Sequence, residues 1–177
     1  MALSAVTPGL PLGRLILLAA AEIVPAAEEA LARAPGAQIY HILSRANDPF
    51  DQAFALAGPA GTSLGQAGLG RNAAGWLDLQ LDLPELAGWM AARGHRLTRR
   101  ETVSHWHFYT DRGAMSFYRS LLRQRAATGI GALLADGLPT QLEPRWARLR
   151  STMGRIGRGG GFGPQAAPLP NGGMGRI

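Results

Sequence analysis

Ser44, Arg45, Asn47 and Asp48 fall within five consecutive residues. They bring a hydroxyl, a guanidinium, an amide and a carboxylate to one short segment. Arginine presents a planar fork of N–H donors that matches the paired oxygens of phosphate or carboxylate. The segment follows a hydrophobic run that reads as a strand and precedes a helix start. In parallel α/β sheets, ligands settle beyond the carboxyl ends of strands, often against a helix N-terminus. Ser44, Arg45 and Asn47 are therefore candidate ligand-binding residues for an anionic small molecule, phosphate- or sugar-phosphate-like. The plainer alternative is that Asp48 caps the helix, worth about 1 kcal/mol, and that Arg45 faces water. A capping carboxylate also opposes an anion there.

The second group is His105-Trp106-His107. On a strand, alternation would put both imidazoles on one side. Either could act as general acid or base, so His105 and His107 are the candidate catalytic residues. A metal would need a third ligand from His41, Asp78, Asp82, Glu101 or Asp111, and no spaced motif supplies one; no cofactor is read from the sequence. The plainer alternative is a pair of partly buried, hydrogen-bonded histidines beside Tyr109. Neither Ser63 nor Ser116 has a base partner visible in the sequence.

The third is the glycine-rich stretch 58–75, with Arg71 and Asn72 as candidate ligand contacts if it forms a mobile binding loop. It has no Gly-Lys-Ser/Thr, and it does not lie in the first strand-to-helix turn. It is therefore neither a Walker loop nor a dinucleotide fingerprint. A plain connector is the competing reading.

The cations form the fourth group. All 18 are arginine, with no lysine, and they are unevenly placed. Residues 1–92 hold four arginines against eight acids, net −4, whereas residues 93–158 hold thirteen against four, net +9. Arg93, Arg96, Arg99, Arg100, Arg119, Arg123, Arg125, Arg145, Arg148 and Arg150 surround Trp106 and Trp146. Basic plus aromatic is the pattern that single-stranded nucleic acid binding uses, though no RNP, KH or helix-turn-helix pattern accompanies it. A non-catalytic nucleic-acid-binding module is thus an alternative to the anionic-ligand domain. A third alternative is an assembly subunit, a homo-oligomer or the partner of another protein, pairing acidic with basic halves.

Composition removes other classes. With no cysteine, disulfides, Cys-ligated zinc and thiol catalysis are excluded. No stretch approaches the ~18 apolar residues of a membrane span. The run from Leu15 to Ala21 after Arg14 has the look of a short signal-peptide core. A helix start follows it at once, so it reads instead as a buried strand, and the expected location is cytoplasmic.

The elements that must position these residues read as one α/β domain over 14–153. A loose lead-in (1–13) precedes it, and a flexible Gly/Pro/Arg tail (154–177) follows, too poor in core formers to offset the cost of ordering. Leu15–Ala20 is a continuous apolar run, as expected of a strand covered on both faces. Pro25 opens a helix that Pro35-Gly36 closes, and 37–44 is a second strand. Strand, helix, strand makes a βαβ unit with a parallel pair, hence a small, mostly parallel sheet with flanking helices. Asp48-Pro49 starts a helix to about Ala57. In 76–83 the leucines alternate with Trp76, Asp78, Gln80 and Asp82, predicting a strand with one polar face near a sheet edge. Helices are expected from Pro84 to Arg93, from Asp111 (capped by Thr110) to Ala127, over 130–135 and over 144–153. The β-branched and aromatic run 102–109 reads as a strand.

Overall fold

The computed structural model describes residues 12–57, 63–69, 74–98, 106–123 and 126–144. Three strands, β1 (Arg14–Leu18), β2 (Gln38–Leu43) and β3 (Trp76–Gln80), make one sheet in the order β1-β2-β3, with both pairings parallel. The expected βαβ unit is present: α1 (Val24–Arg33), with Pro25 in its first turn, links β1 to β2. After β2 a 3-10 turn (Arg45–Asn47) runs directly into α2 (Asp48–Ala57), and α3 (Leu64–Ala67) precedes β3. Beyond β3 come α4 (Pro84–Ala92), α5 (His107–Thr110), α6 (Arg112–Arg123) and α7 (Ile130–Ala135).

Side-chain alternation on the strands divides the core in two. Tyr40, Ile42, Leu77 and Leu79 point to one face, where they pack with Leu86 and Met90 of α4, Phe117 and Leu121 of α6 and Leu133 of α7. Leu17, Ile39 and Trp76 point to the other, against Ala27 and Ala30 of α1 and Leu64 of α3. The chain is therefore a small α/β fold with helices on both faces of a parallel sheet, the arrangement in which such sheets are stable.

Three expectations are corrected. The run 102–109 does not form the expected strand where it is described. His107–Thr110 is a helical turn, in which the Thr110 hydroxyl donates to Trp106 O and the Asp111 amide to His107 O. Phe108 alone anchors this turn in the core, whereas Trp106 and Tyr109 are exposed. One buried ring in four residues suits a helical turn and not a half-buried strand. The cap of α6 is also Asp111 rather than Thr110: its Oδ1 accepts the Ala114 amide (3.0 Å) and its Oδ2 the Thr98 amide (2.8 Å). Helix α6 is described to Arg123, and residues 126–127, expected to belong to it, lie in a turn instead.

β3 lies at the sheet edge, but its polar row is not solvated. Gln80 and Asp82 are fully buried, and Asp78 is nearly so. Parts of the reading lie outside the described residues: the lead-in 1–11, Arg71 and Asn72, Glu101 and His105, the helix expected beyond Pro144, and the tail 154–177.

Candidate functional site

In a parallel sheet every strand ends on the same edge, and here that edge gathers most of the buried polar groups. At the end of β2, Ser44, Arg45 and Asn47 are all buried. At the end of β3, the Asp82 carboxylate accepts the backbone N–H of Arg45 on Oδ1 and of Ala46 on Oδ2, each at 3.2 Å. The Ser44 hydroxyl oxygen accepts the same Ala46 amide at 3.1 Å. The turn after β2 thus directs the N–H groups of Arg45 and Ala46 to one point, and a carboxylate of the protein's own occupies it.

The segment reaching Glu143 crosses this edge. Arg45 Nε donates to Glu143 O (2.9 Å), and Gln80 exchanges two hydrogen bonds of 2.8 Å with Glu143, one to its amide and one to its carboxylate. Gln80 Nε2 also donates to Asp82 (3.0 Å). Asn47 donates to Asp51 at 3.4 Å, and its own Oδ1, fully buried, has no partner among the described residues.

At the end of β1, Ala19 adopts φ 44°, a left-handed conformation costly for a residue with a Cβ. Tyr109 of α5 donates to Leu18 O at 3.4 Å. That contact sets α5, and with it the half-buried His107, at the same edge as Ser44, Arg45 and Asn47.

A second polar group sits deeper, on the α1/α3 face. His41 of β2 is fully buried and donates Nδ1–H to Asp78 Oδ1 on β3 at 2.8 Å. Asp78 also accepts the Trp76 indole N–H and the Leu69 amide, each at 2.9 Å. His41 Nε2 has no hydrogen-bond partner among the described residues. Among the described residues, no three His, Asp or Glu side chains come together as a metal site.

Sequence reasoning found no base partner for Ser63 or Ser116 and overlooked the glycine spacing around the first. Gly61-Thr62-Ser63-Leu64-Gly65 has the Gly-x-Ser-x-Gly spacing of a nucleophile elbow. Ser63, however, has φ −68° and is fully buried, so it is not poised on a strained turn. Ser116, by contrast, does have a base beside it: His95 Nδ1 lies 3.0 Å from its Oγ. The separation of 21 residues hid this pair, because only the docking of the segment after α4 onto α6 brings them together. His95 also lines a cavity of about 310 Å³ with Trp89, Phe117, Ser120, Thr128 and Leu133.

No protein-family model, no curated protein and no solved structure matches the chain. Among the described residues, no helix is long and apolar enough to cross a membrane.

Proposed function

We propose that this α/β domain binds an anionic, phosphate- or sugar-phosphate-like ligand at the carboxyl edge of its sheet. Ser44, Arg45 and Asn47 make the contacts, and His107 stands by for proton transfer. A hydrolase or transferase acting on a phosphate-bearing substrate is the enzyme class this arrangement fits. One observation supports the reading above the rest: the parallel order β1-β2-β3 puts the Arg45 turn and α5 on a single edge. The left-handed Ala19 at that edge adds to it, since strained backbone gathers at functional sites. With Asp82 holding the amides of Arg45 and Ala46, recognition falls to side chains. The ligand must also displace the segment around Glu143.

Thermal unfolding with inorganic phosphate, a sugar phosphate and a nucleotide tests this. At ~100-fold excess over Kd the folded state gains about 2.7 kcal/mol, and Arg45→Ala abolishes the gain. His107→Ala leaves binding in place and removes any turnover. No stabilisation by any of the three anions overturns the reading.

A second reading rests on α6. Arg112, Arg119 and Arg123 are exposed there at helical spacings of seven and four, a basic stripe with no acid beside it among the described α6 residues. Such a stripe suits a nucleic-acid backbone. Binding of random single strands would then fall with salt at a log–log slope of roughly −0.7 per phosphate contacted.

A further inference from the structure

Ser44, Arg45 and Asn47 are each at most 4 % exposed, so no ligand reaches their side chains until part of the fold opens. The coil 138–143 lies against the Arg45 side chain. Its start is fixed. Leu138 is buried, and its amide donates to Leu133 O (3.1 Å) just after the left-handed Gly137 (φ 76°), a helix C-cap that ends α7. Prolines bracket the rest. Pro139 and Pro144 disfavour helical backbone at Leu138 and Glu143, and neither offers an N–H, so the segment runs on as coil.

Beyond Leu138 this segment is held at one residue. Thr140 and Gln141 are exposed, and no hydrogen bond ties Thr140, Gln141 or Leu142 to another described residue. The contacts converge on Glu143: its carbonyl accepts Arg45 Nε (2.9 Å), its amide donates to Gln80 Oε1 and its carboxylate accepts Gln80 Nε2 (both 2.8 Å). Gln80 Nε2 thus serves two carboxylates, because it also donates to Asp82 at 3.0 Å. The two acids are not equivalent. Asp82 is buried and accepts two backbone amides as well, whereas Glu143 is half-buried on a coil. An anion arriving at this edge can expel Glu143 but not Asp82.

We propose that residues 139–143 are an autoinhibitory strap, in which the Glu143 carboxylate stands in for the anionic group of the ligand. Binding is then an exchange of one anion for another, and it opens the strap. This deepens the anion-site reading and rests on it. A closed strap lowers the apparent affinity by the fraction of molecules in which it is open. A change that weakens the Glu143 contacts raises that fraction and tightens binding without touching Ser44, Arg45 or Asn47.

Hydrogen–deuterium exchange of the full chain with and without inorganic phosphate tests this, alongside calorimetric titration with phosphate. In the parent chain, saturating phosphate should speed exchange over 140–143 while the amides of β2 and β3 stay as slow as before. Glu143→Ala should exchange fast over 140–143 without phosphate. It should also bind phosphate about tenfold more tightly, the effect of losing one hydrogen bond to a charged group from the closed state. Glu143→Gln separates release from simple loss of charge, because it keeps an acceptor for Gln80 Nε2. Its affinity should be clearly weaker than that of Glu143→Ala. Should the Ala variant not fold, exchange in the parent chain decides. Phosphate binding with no change over 140–143, equal affinity in the parent and Ala proteins, or Gln binding as tightly as Ala overturns the strap and leaves the anion site standing. Phosphate binding to none of the three proteins overturns both.

Discussion

The Asp82 carboxylate accepts the Arg45 amide at 3.2 Å, so the turn leaving the middle strand is held by the end of its neighbour. Asp82 is also bonded to Ala46 N and Gln80 Nε2, and it is 2 % exposed. Asp82→Asn removes the charge from these three bonds and turns part of an acceptor into a donor facing N–H groups. A loss of about 2 kcal/mol in a urea titration is expected. The same change removes the internal anion from the cradle, so phosphate should bind the variant more tightly than the parent chain. Equal phosphate affinity in the two proteins would place the anion somewhere other than the Ser44–Asn47 turn.

Tyr118 carries a cost without a visible return. Its hydroxyl is buried with no hydrogen-bond partner among the described residues, and burial, with the Asp111 charge added, pushes its pKa far up. A buried hydroxyl left unpaired costs about 1–3 kcal/mol, and replacing it by hydrogen keeps the ring's packing against Phe117. Tyr118→Phe is therefore expected to raise stability by about 1 kcal/mol, read as a higher urea midpoint at unchanged m. A clear loss of stability would mean that the hydroxyl has a partner after all.

The strands that order the sheet were legible because each carries a local signal. Leu15 to Leu18 is uniformly apolar, 37–44 carries Ile39, Tyr40, Ile42 and Leu43, and Pro25 and Pro49 mark the helix starts between and after them. The parallel pairing followed from strand, helix, strand alone. What failed was tertiary in origin. The run 102–109 has strand composition, yet only Phe108 finds a core position in the described turn, so packing overrode propensity. The β3 run read only as a strand with one polar face near a sheet edge, because alternation reports which side chains share a face, not what lies over it. Leu69, Trp76 and the segment at Glu143 supply partners from nine, two and 63 residues away, which let Asp78 and Gln80 be buried. The turn after β2 and the helix start at Asp48-Pro49 were legible. That Asp82 would fill it was not, because nothing local ties residue 82 to residue 45.

Gly68 shows how closely that buried row is packed. It has φ +62° and ψ −165°, a region open almost only to glycine, and a Cβ there would stand 2.6 Å from Asp78 Oδ2. Asp78 cannot swing aside without giving up His41, Trp76 and the Leu69 amide. Gly68→Ala should cost about 3 kcal/mol, the sum of backbone strain and a displaced, buried carboxylate. Gly88→Ala is the control: nothing lies within 4 Å of its Cβ position in α4, and alanine there should stabilise by several tenths of a kcal/mol. If both changes cost the same, the Asp78 contact is not what constrains Gly68.

Acid should destabilise the fold in two separable windows. Burial pushes the Asp111 carboxyl up, but hydrogen bonds from Ala114, Thr98 and Gly113 outweigh it and hold its pKa below the ordinary 3.8. Its folded value is thus lower than its unfolded one, so its contribution is complete above about pH 4 and disappears as pH falls through the folded value. His95 is likewise depressed, by burial, from 6.5. The unfolded chain takes up that proton first, so stability begins to fall once pH drops below about 6.5. Urea midpoints measured from pH 8 to pH 2.5 should show both declines. His95→Gln should remove the one beginning near pH 6.5 and leave the lower one. Asp111→Asn, which keeps an N-capping side chain, should cost stability at pH 7, and its difference from the parent chain should shrink toward pH 2.5. A difference independent of pH would show that the Asp111 charge contributes nothing and that only its shape caps α6.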